Sequence, residues 1–154
     1  MIPRVRLATV RDISALVEMR RDFTFEGQPT PEVLRDDYED AMGTLLCEGM
    51  KAGTWFVFVA DAGGQLVSHI YVHLVAKLPR PVPDHQHIGY VTNVYTRPAY
   101  RGEGIGGQIL DEIRSWARRQ SVELLFVWPS EASVEFYRRH GFDHPPDLLV
   151  WEAD

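Results

Sequence analysis

A mixed α/β domain built around one central sheet is the fold class this chain predicts, and three observations lead there. Segments of strand-like and helix-like periodicity follow one another in the order β, α, α, β, β, β, α, β, α, β. The chain has 154 residues, 45% of them hydrophobic, which suits one domain spanning 1–154 with a real core. No repeat, low-complexity tract or linker interrupts the periodic segments, and Gly- and Pro-containing breaks such as Glu26–Pro29, Asp61–Gly64 and Pro79–Pro83 separate them.

Val5–Ala8 reads as a short opening strand. Thr9-Val10-Arg11-Asp12 is a capping-box-like start for a helix whose stripe is Ile13, Leu16 and Val17. Glu26-Gly27-Gln28-Pro29 breaks it. Thr30, with Pro31 after it, predicts the start of a second helix, buried through Leu34, Tyr38, Ala41, Met42 and Leu45. Trp55–Ala60 is a strand, Asp61–Gly64 a turn, and Gln65–Lys77 a long strand. Alternation puts Leu66, Ile70, Val72 and Leu74 on one face of that strand and His69, Tyr71 and His73 on the other. Pro79-Arg80-Pro81-Val82-Pro83 ends it. Ile88–Thr96 is the next strand, Ile105, Ile109, Ile113 and Trp116 stripe a third helix, and Val122–Trp128 is a buried strand. Ser130–His140 reads as a helix and Leu148–Trp151 as a last strand.

Between the fourth of these strands and the third helix lies Arg101-Gly102-Glu103-Gly104-Ile105-Gly106-Gly107. A loop with so few Cβ atoms lets backbone N–H groups approach a ligand, and the helix adds the positive end of its dipole. Together they make a pyrophosphate cradle, with Arg101 as a cation at its mouth. Gly102, Gly104 and Gly107 also fit G-x-G-x-x-G. A dinucleotide site, however, wants an acid at the end of the next strand, which here reads Phe126-Val127-Trp128. No Lys-Ser/Thr pair closes the loop as in a P-loop.

The stretch Asn93–Gly106, followed downstream by Ser130-Glu131-Ala132-Ser133-Val134-Glu135-Phe136-Tyr137-Arg138-Arg139-His140-Gly141-Phe142, resembles the GNAT family of acetyl-CoA-dependent N-acyltransferases. The first block matches that family's Arg/Gln-x-x-Gly-x-Gly/Ala loop. The second matches its Phe-Tyr-x-x-x-Gly-Phe helix and turn. The resemblance is strong from Tyr90 to Phe142 and looser elsewhere. It implies a mixed, mostly antiparallel sheet with helices on both faces, and two central strands that splay apart to admit the pantetheine arm. It implies that acetyl-CoA lies on Arg101, Gly102, Glu103, Gly104, Ile105, Gly106 and Gly107 and along the backbone of Val94, Tyr95 and Thr96. A main-chain N–H at Asn93 or Val94 would polarise the thioester carbonyl, an effect of about 2.7–4 kcal/mol for a well-aimed donor. Ser130 and Ser133 stand where relatives commonly have Asn and Ala. Ser130 is expected to bond the pantetheine arm or to cap the helix, with capping preferred.

Acetyl transfer to an amine also needs an acid for the departing sulfur and a base for the amine. Tyr137, at the family's tyrosine position, is the expected acid, since a phenol with a reference pKa of about 10 stays protonated at neutral pH. Glu26 and His73 are the leading base candidates, ahead of Asp84, His85 and His87. His85-x-His87 lacks a third ligand, so no metal is expected. The run Asp36-Asp37-Tyr38-Glu39-Asp40 is a possible attraction for a cation, though a solvated helix face is the commoner meaning. Cys47 is the single cysteine and reads as a small buried hydrophobe, so direct transfer in a ternary complex is expected.

With 16 basic and 22 acidic residues the net charge is −6, which argues against a nucleic-acid face. No apolar run is long enough to span a membrane and no signal-peptide pattern opens the chain, so a cytoplasmic location is the default. The acceptor is expected to be a small-molecule or peptide amine. A homodimer is left open. The rival readings are a non-catalytic acyl-CoA-binding module on the same fold and an NAD-dependent enzyme using the glycine pattern.

Overall fold

The computed structural model describes residues 2–144 and 147–153. Its strands are β1 (Arg4–Leu7), β2 (Trp55–Ala62), β3 (Gln65–Ala76), β4 (His87–Thr96) and β5 (Val122–Val127). Its helices are α1 (Ile13–Phe25), α2 (Tyr38–Ala52), α3 (Ile105–Arg119) and α4 (Val134–Arg139). The five strands form one sheet in sequence order. Neighbours are antiparallel except β4 and β5, which run parallel and are joined through α3. A parallel pair needs such a crossover, whereas β2 and β3 close through the tight turn at Asp61–Gly64 and β1 reaches β2 by way of α1 and α2.

Two apolar layers flank the sheet. Phe58, Ile70, Val72 and Val91 face Ile105, Ile109, Ile113 and Trp116 of α3 and Tyr137 of α4. Val57, Val59, Tyr71 and Tyr95 face Leu16, Met19 and Leu46 of α1 and α2. The α1 start rests on charge as well as packing. The Thr9 N–H donates to Asp12 Oδ2 at 2.7 Å, and Arg6 grips Asp12 with both Nη groups at 2.9 Å while also reaching Asp61. That ion cluster pins β1, the entry to α1 and the end of β2 together.

Several expectations need correction. The second helix begins at Tyr38 rather than near Pro31. Val33 and Leu34 are exposed, so no apolar stripe rewards an earlier start. Acidic Glu39 and Asp40 in the first turn instead complement the helix dipole. Leu45 is also exposed, and the buried positions are Leu46 and Gly49, the latter because an added Cβ would stand 2.5 Å from the Trp55 ring. In β3, Leu66 joins the layer of Tyr71, opposite Ile70 and Val72. A register shift between Ala60 and Asp61 leaves Val67 as an extra residue, and one extra residue reverses every side chain beyond it. Val122–Trp128 is not a buried strand: β5 stops at Val127, Glu123 and Leu124 are exposed, and so is Trp128. Finally, Leu148–Trp151 forms no strand and is exposed.

Candidate active site

β4 and β5 pair only from His87–Val122 to Val91–Val127. Beyond that point β5 ends while β4 runs on to Thr96, so one edge of Thr92–Thr96 has no strand partner among the described residues. A bulge in β4 sits at the fork. Between the pairs Tyr71–Thr92 and His69–Tyr95, the single residue Ile70 faces both Asn93 and Val94. Asn93 adopts φ 53°, a conformation that Asn tolerates better than most residues.

Side chains from two elements hold this bulge. Arg20 Nη1 of α1 donates to Asn93 Oδ1 at 2.9 Å. His69 Nδ1 of β3 lies 2.8 Å from the Asn93 carbonyl oxygen. A carbonyl only accepts, so Nδ1 carries the proton and Nε2 is a bare lone pair with no partner. Burial pushes the His69 pKa down to about 4, opposed by the bond to Asn93, so the ring is neutral at neutral pH. Ser68 Oγ adds a bond to the Tyr95 carbonyl at 2.9 Å.

The glycine loop follows a short 3-10 turn at Pro98–Tyr100. Its glycines divide into two kinds. Gly102 (φ 79°) and Gly104 (φ 75°) face open space, the conformation and room that the expected cradle requires. Gly106 and Gly107 lie inside α3 and make room for α4: a Cβ on Gly107 would stand 2.7 Å from the His140 ring, and one on Gly106 would touch Phe136. No acidic side chain occupies the first turn of α3, so its N–H groups and dipole are uncompensated. Glu103 is exposed and Ile105 buried, so Ile105 can offer a ligand only its backbone.

Arg101 is already engaged. Its two Nη groups donate to the two oxygens of Glu26, each at 2.6 Å, and its Nε donates to the Thr96 carbonyl at 2.8 Å. Its guanidinium also stands over the Tyr95 ring. The bridge ties the end of α1 to the glycine loop, and the Arg101 hydrogen bonds hold the Glu26 carboxyl below its usual range. Nothing in the order of residues announces a pair 75 positions apart.

Tyr137 is 6% exposed, and its hydroxyl bonds to no other described side chain or backbone group. Burial raises its pKa to about 12, with a smaller contribution from Tyr90 across the fork. Phe136 and Phe142 pack against its ring. His73 lies on the other side of the sheet, stacked on Trp55 at 4.5 Å and opposite Tyr90 in register. Ser130 does not cap through its side chain: its Oγ donates to Ser133 Oγ at 3.0 Å, and Ser133 Oγ donates to the Ser130 carbonyl at 2.9 Å. Val94 is half-buried against the α3 layer, and Tyr95 is buried in the other. In the acidic run, Asp37 and Glu39 are paired with Arg35 and Arg21. Cys47 is half-buried on α2. No described helix is long and apolar enough to cross a membrane.

A bulged strand thus parts from its parallel neighbour and ends at a glycine loop on a helix N-terminus. Residues 13–142 match the model of the acetyltransferase (GNAT) family, and the chain belongs to that family. The fold is shared with a predicted acetyltransferase with acetyl-CoA from Clostridium acetobutylicum, at 21% identity and TM-score 0.78 over 97% of this chain and 95% of that one. It is shared with a GCN5-related N-acetyltransferase from Ralstonia eutropha, at 20% identity and TM-score 0.76 over 98% and 99%. An aminoglycoside acetyltransferase from an uncultured soil metagenomic sample superposes at TM-score 0.73 and 13% identity over 99% and 96%. At such identities the likeness concerns the fold. A stretch of 48 residues, 31% of this chain, is 35% identical to part of a probable serine/threonine-protein kinase of Dictyostelium discoideum, and it spans 6% of that protein.

Proposed function

We propose that this protein transfers an acetyl group from acetyl-CoA to a primary amine, directly and within a ternary complex. One observation carries the reading. The open, positive-φ cradle of Gly102 and Gly104 at the uncompensated start of α3 adjoins the unpaired edge of β4, so one extended ligand can use both. Acetyl-CoA suits that pairing, having a pyrophosphate at one end and amide groups along its arm, and it supplies an activated acetyl thioester.

The loop N–H groups and the first turn of α3 hold the pyrophosphate. The free edge of Val94–Thr96 binds the pantetheine amides as an added strand would. The bulge at Asn93 turns a backbone N–H toward the acyl oxygen. Tyr137, kept protonated by burial, gives its proton to the sulfur as the C–S bond is exchanged for a C–N bond. One proton must also leave the amine. His73 is free of side-chain hydrogen bonds among the described residues and takes it directly or through water. Glu26 is the second candidate, weakened by its bidentate tie to Arg101. Cys47 on α2 takes no covalent part.

Thermal unfolding with acetyl-CoA, CoA, NAD and ATP in parallel tests the reading. A ligand at 100 times its dissociation constant adds about 2.7 kcal/mol. Stabilisation by acetyl-CoA and CoA alone supports it, and thiol release with an amine panel then measures turnover. A response confined to NAD or ATP overturns it.

A further inference from the structure

The amine side of the fork contains a cation with no counter-charge. Arg20 is half-buried, its Nη1 bonded to Asn93 Oδ1 at 2.9 Å and its guanidinium 5.7 Å from the Phe23 ring centre. Among the described residues no carboxylate lies within 4.0 Å of it. The neighbouring arginines differ: Arg21 pairs with Glu39, Arg97 with Glu18 and Asp22, and Arg101 with Glu26. Arg4, Arg11, Lys51, Arg118 and Arg139 also lack acidic partners, but all of these are exposed. In a chain of net charge −6, leaving the one half-buried member of this set unpaired is costly unless something else neutralises it.

Two further polar atoms on the same face lack partners. The Tyr71 hydroxyl and His69 Nε2 are buried and neither has a partner in good hydrogen-bond geometry, although the Tyr71 hydroxyl stands beside the Asn93 side chain; both groups lie within electrostatic reach of Arg20. Tyr71 pairs in register with Thr92, next to the bulge. A fixed cation, a buried hydroxyl and a polar bulge thus converge on Asn93.

We propose, resting on the acetyl-transfer reading, that Arg20 anchors an anionic group carried by the acceptor. The acceptor is then a primary amine that also bears a carboxylate or a phosphate. Arg suits both, because its planar fork matches either anion. The same cation disfavours a neighbouring ammonium, which assists loss of the amine proton and disfavours polycationic acceptors.

The test uses matched pairs that differ in the anion: phenethylamine against L-phenylalanine for a carboxylate, and glucosamine against glucosamine 6-phosphate for a phosphate. Binding is read by thermal unfolding and titration, with and without CoA, and turnover by thiol release. The anionic member of at least one pair should bind about 10- to 100-fold more tightly, the size of one hydrogen bond to a charged group. Arg20→Gln should erase that difference and Arg20→Lys should retain part of it. The pair that responds identifies the anion. Equal responses within both pairs, absent binding included, overturn the proposal, as does a preference that survives in Arg20→Gln. Failure to bind CoA at all counts against the acetyl-transfer reading instead, while the pairs without CoA still report on Arg20.

Discussion

Tyr137 and Glu26 show how a residue's surroundings select its chemistry. Burial raises the Tyr137 pKa to about 12, so the phenol remains a proton donor throughout the pH range in which an amine is deprotonated. Tyr137→Phe should slow turnover by about 10²- to 10⁴-fold, the usual worth of a general acid, with acetyl-CoA affinity little changed. The wild-type rate should rise as the amine loses its proton and show no fall due to Tyr137 below roughly pH 11, one unit under its pKa. An alkaline limb near neutrality that vanishes in Tyr137→Phe would contradict this. Glu26 is held in its ionised form by Arg101. Glu26→Gln should therefore alter acetyl-CoA affinity through the released Arg101 and leave the shape of the pH–rate profile intact. Loss of the acidic limb would make Glu26 the base after all.

At the scale of an element, the α3 start shows that neighbouring glycines serve different ends. Gly104 has open space around it but φ 75°, so Gly104→Val meets backbone strain of about 1–3 kcal/mol and also fills the cradle. Acetyl-CoA affinity should drop at least about tenfold, measured by titration on protein shown to be folded by circular dichroism. Gly107 has an ordinary φ but no room, since its Cβ would meet His140 at 2.7 Å. Gly107→Val should lower stability by about 1–3 kcal/mol through overpacking, and denaturant unfolding reads this directly. A Gly107 variant of full stability that fails to bind acetyl-CoA would reverse the division of labour. The bulge belongs to this scale too. It needs an extra residue in β4, a residue tolerant of φ 53°, and bonds from His69 and Arg20.

Across the whole molecule, the Arg6–Asp12–Asp61 cluster ties the first strand to the sheet and sets a pH dependence of stability. The Arg6 hydrogen bond, opposed by desolvation, lowers the Asp12 pKa from 3.8 to about 2. A carboxyl with a depressed folded-state pKa stabilises fully above its unfolded value, and loses that contribution as pH falls through the folded value. Asp12 should thus contribute about 2 kcal/mol at neutral pH and lose it between roughly pH 4 and pH 2. Urea unfolding from pH 7 to pH 2 measures the loss, and Asp12→Asn should flatten it. An equally steep acid slope in the variant would place the titration elsewhere.

Much of the fold and the motif blocks of the candidate site are legible in the residue order, because both depend on local patterns. Sequence patterns locate β2, β3, β4, α3 and β5 to within a few residues, since apolar runs mark the central strands β2 and β3 and an apolar stripe marks α3. The glycine loop and the Phe136-Tyr137 block are contiguous motifs and could be read as such. Elements without a local signal were misread. Thr30-Pro31 looks like a helix start, but the residues after it have nothing to bury against, and Leu148–Trp151 has strand composition without a strand. The parity of Leu66 depended on a bulge that becomes visible only when β2 and β3 are paired. The long-range contacts around Asn93 and Arg101 are entirely a matter of tertiary structure. Glu26 meets Arg101, and Arg20 and His69 meet Asn93, across separations of 75, 73 and 24 residues. Charge compensation and the filling of hydrogen bonds are properties of atoms brought together in space, and the chain order does not encode which cation is left without a partner.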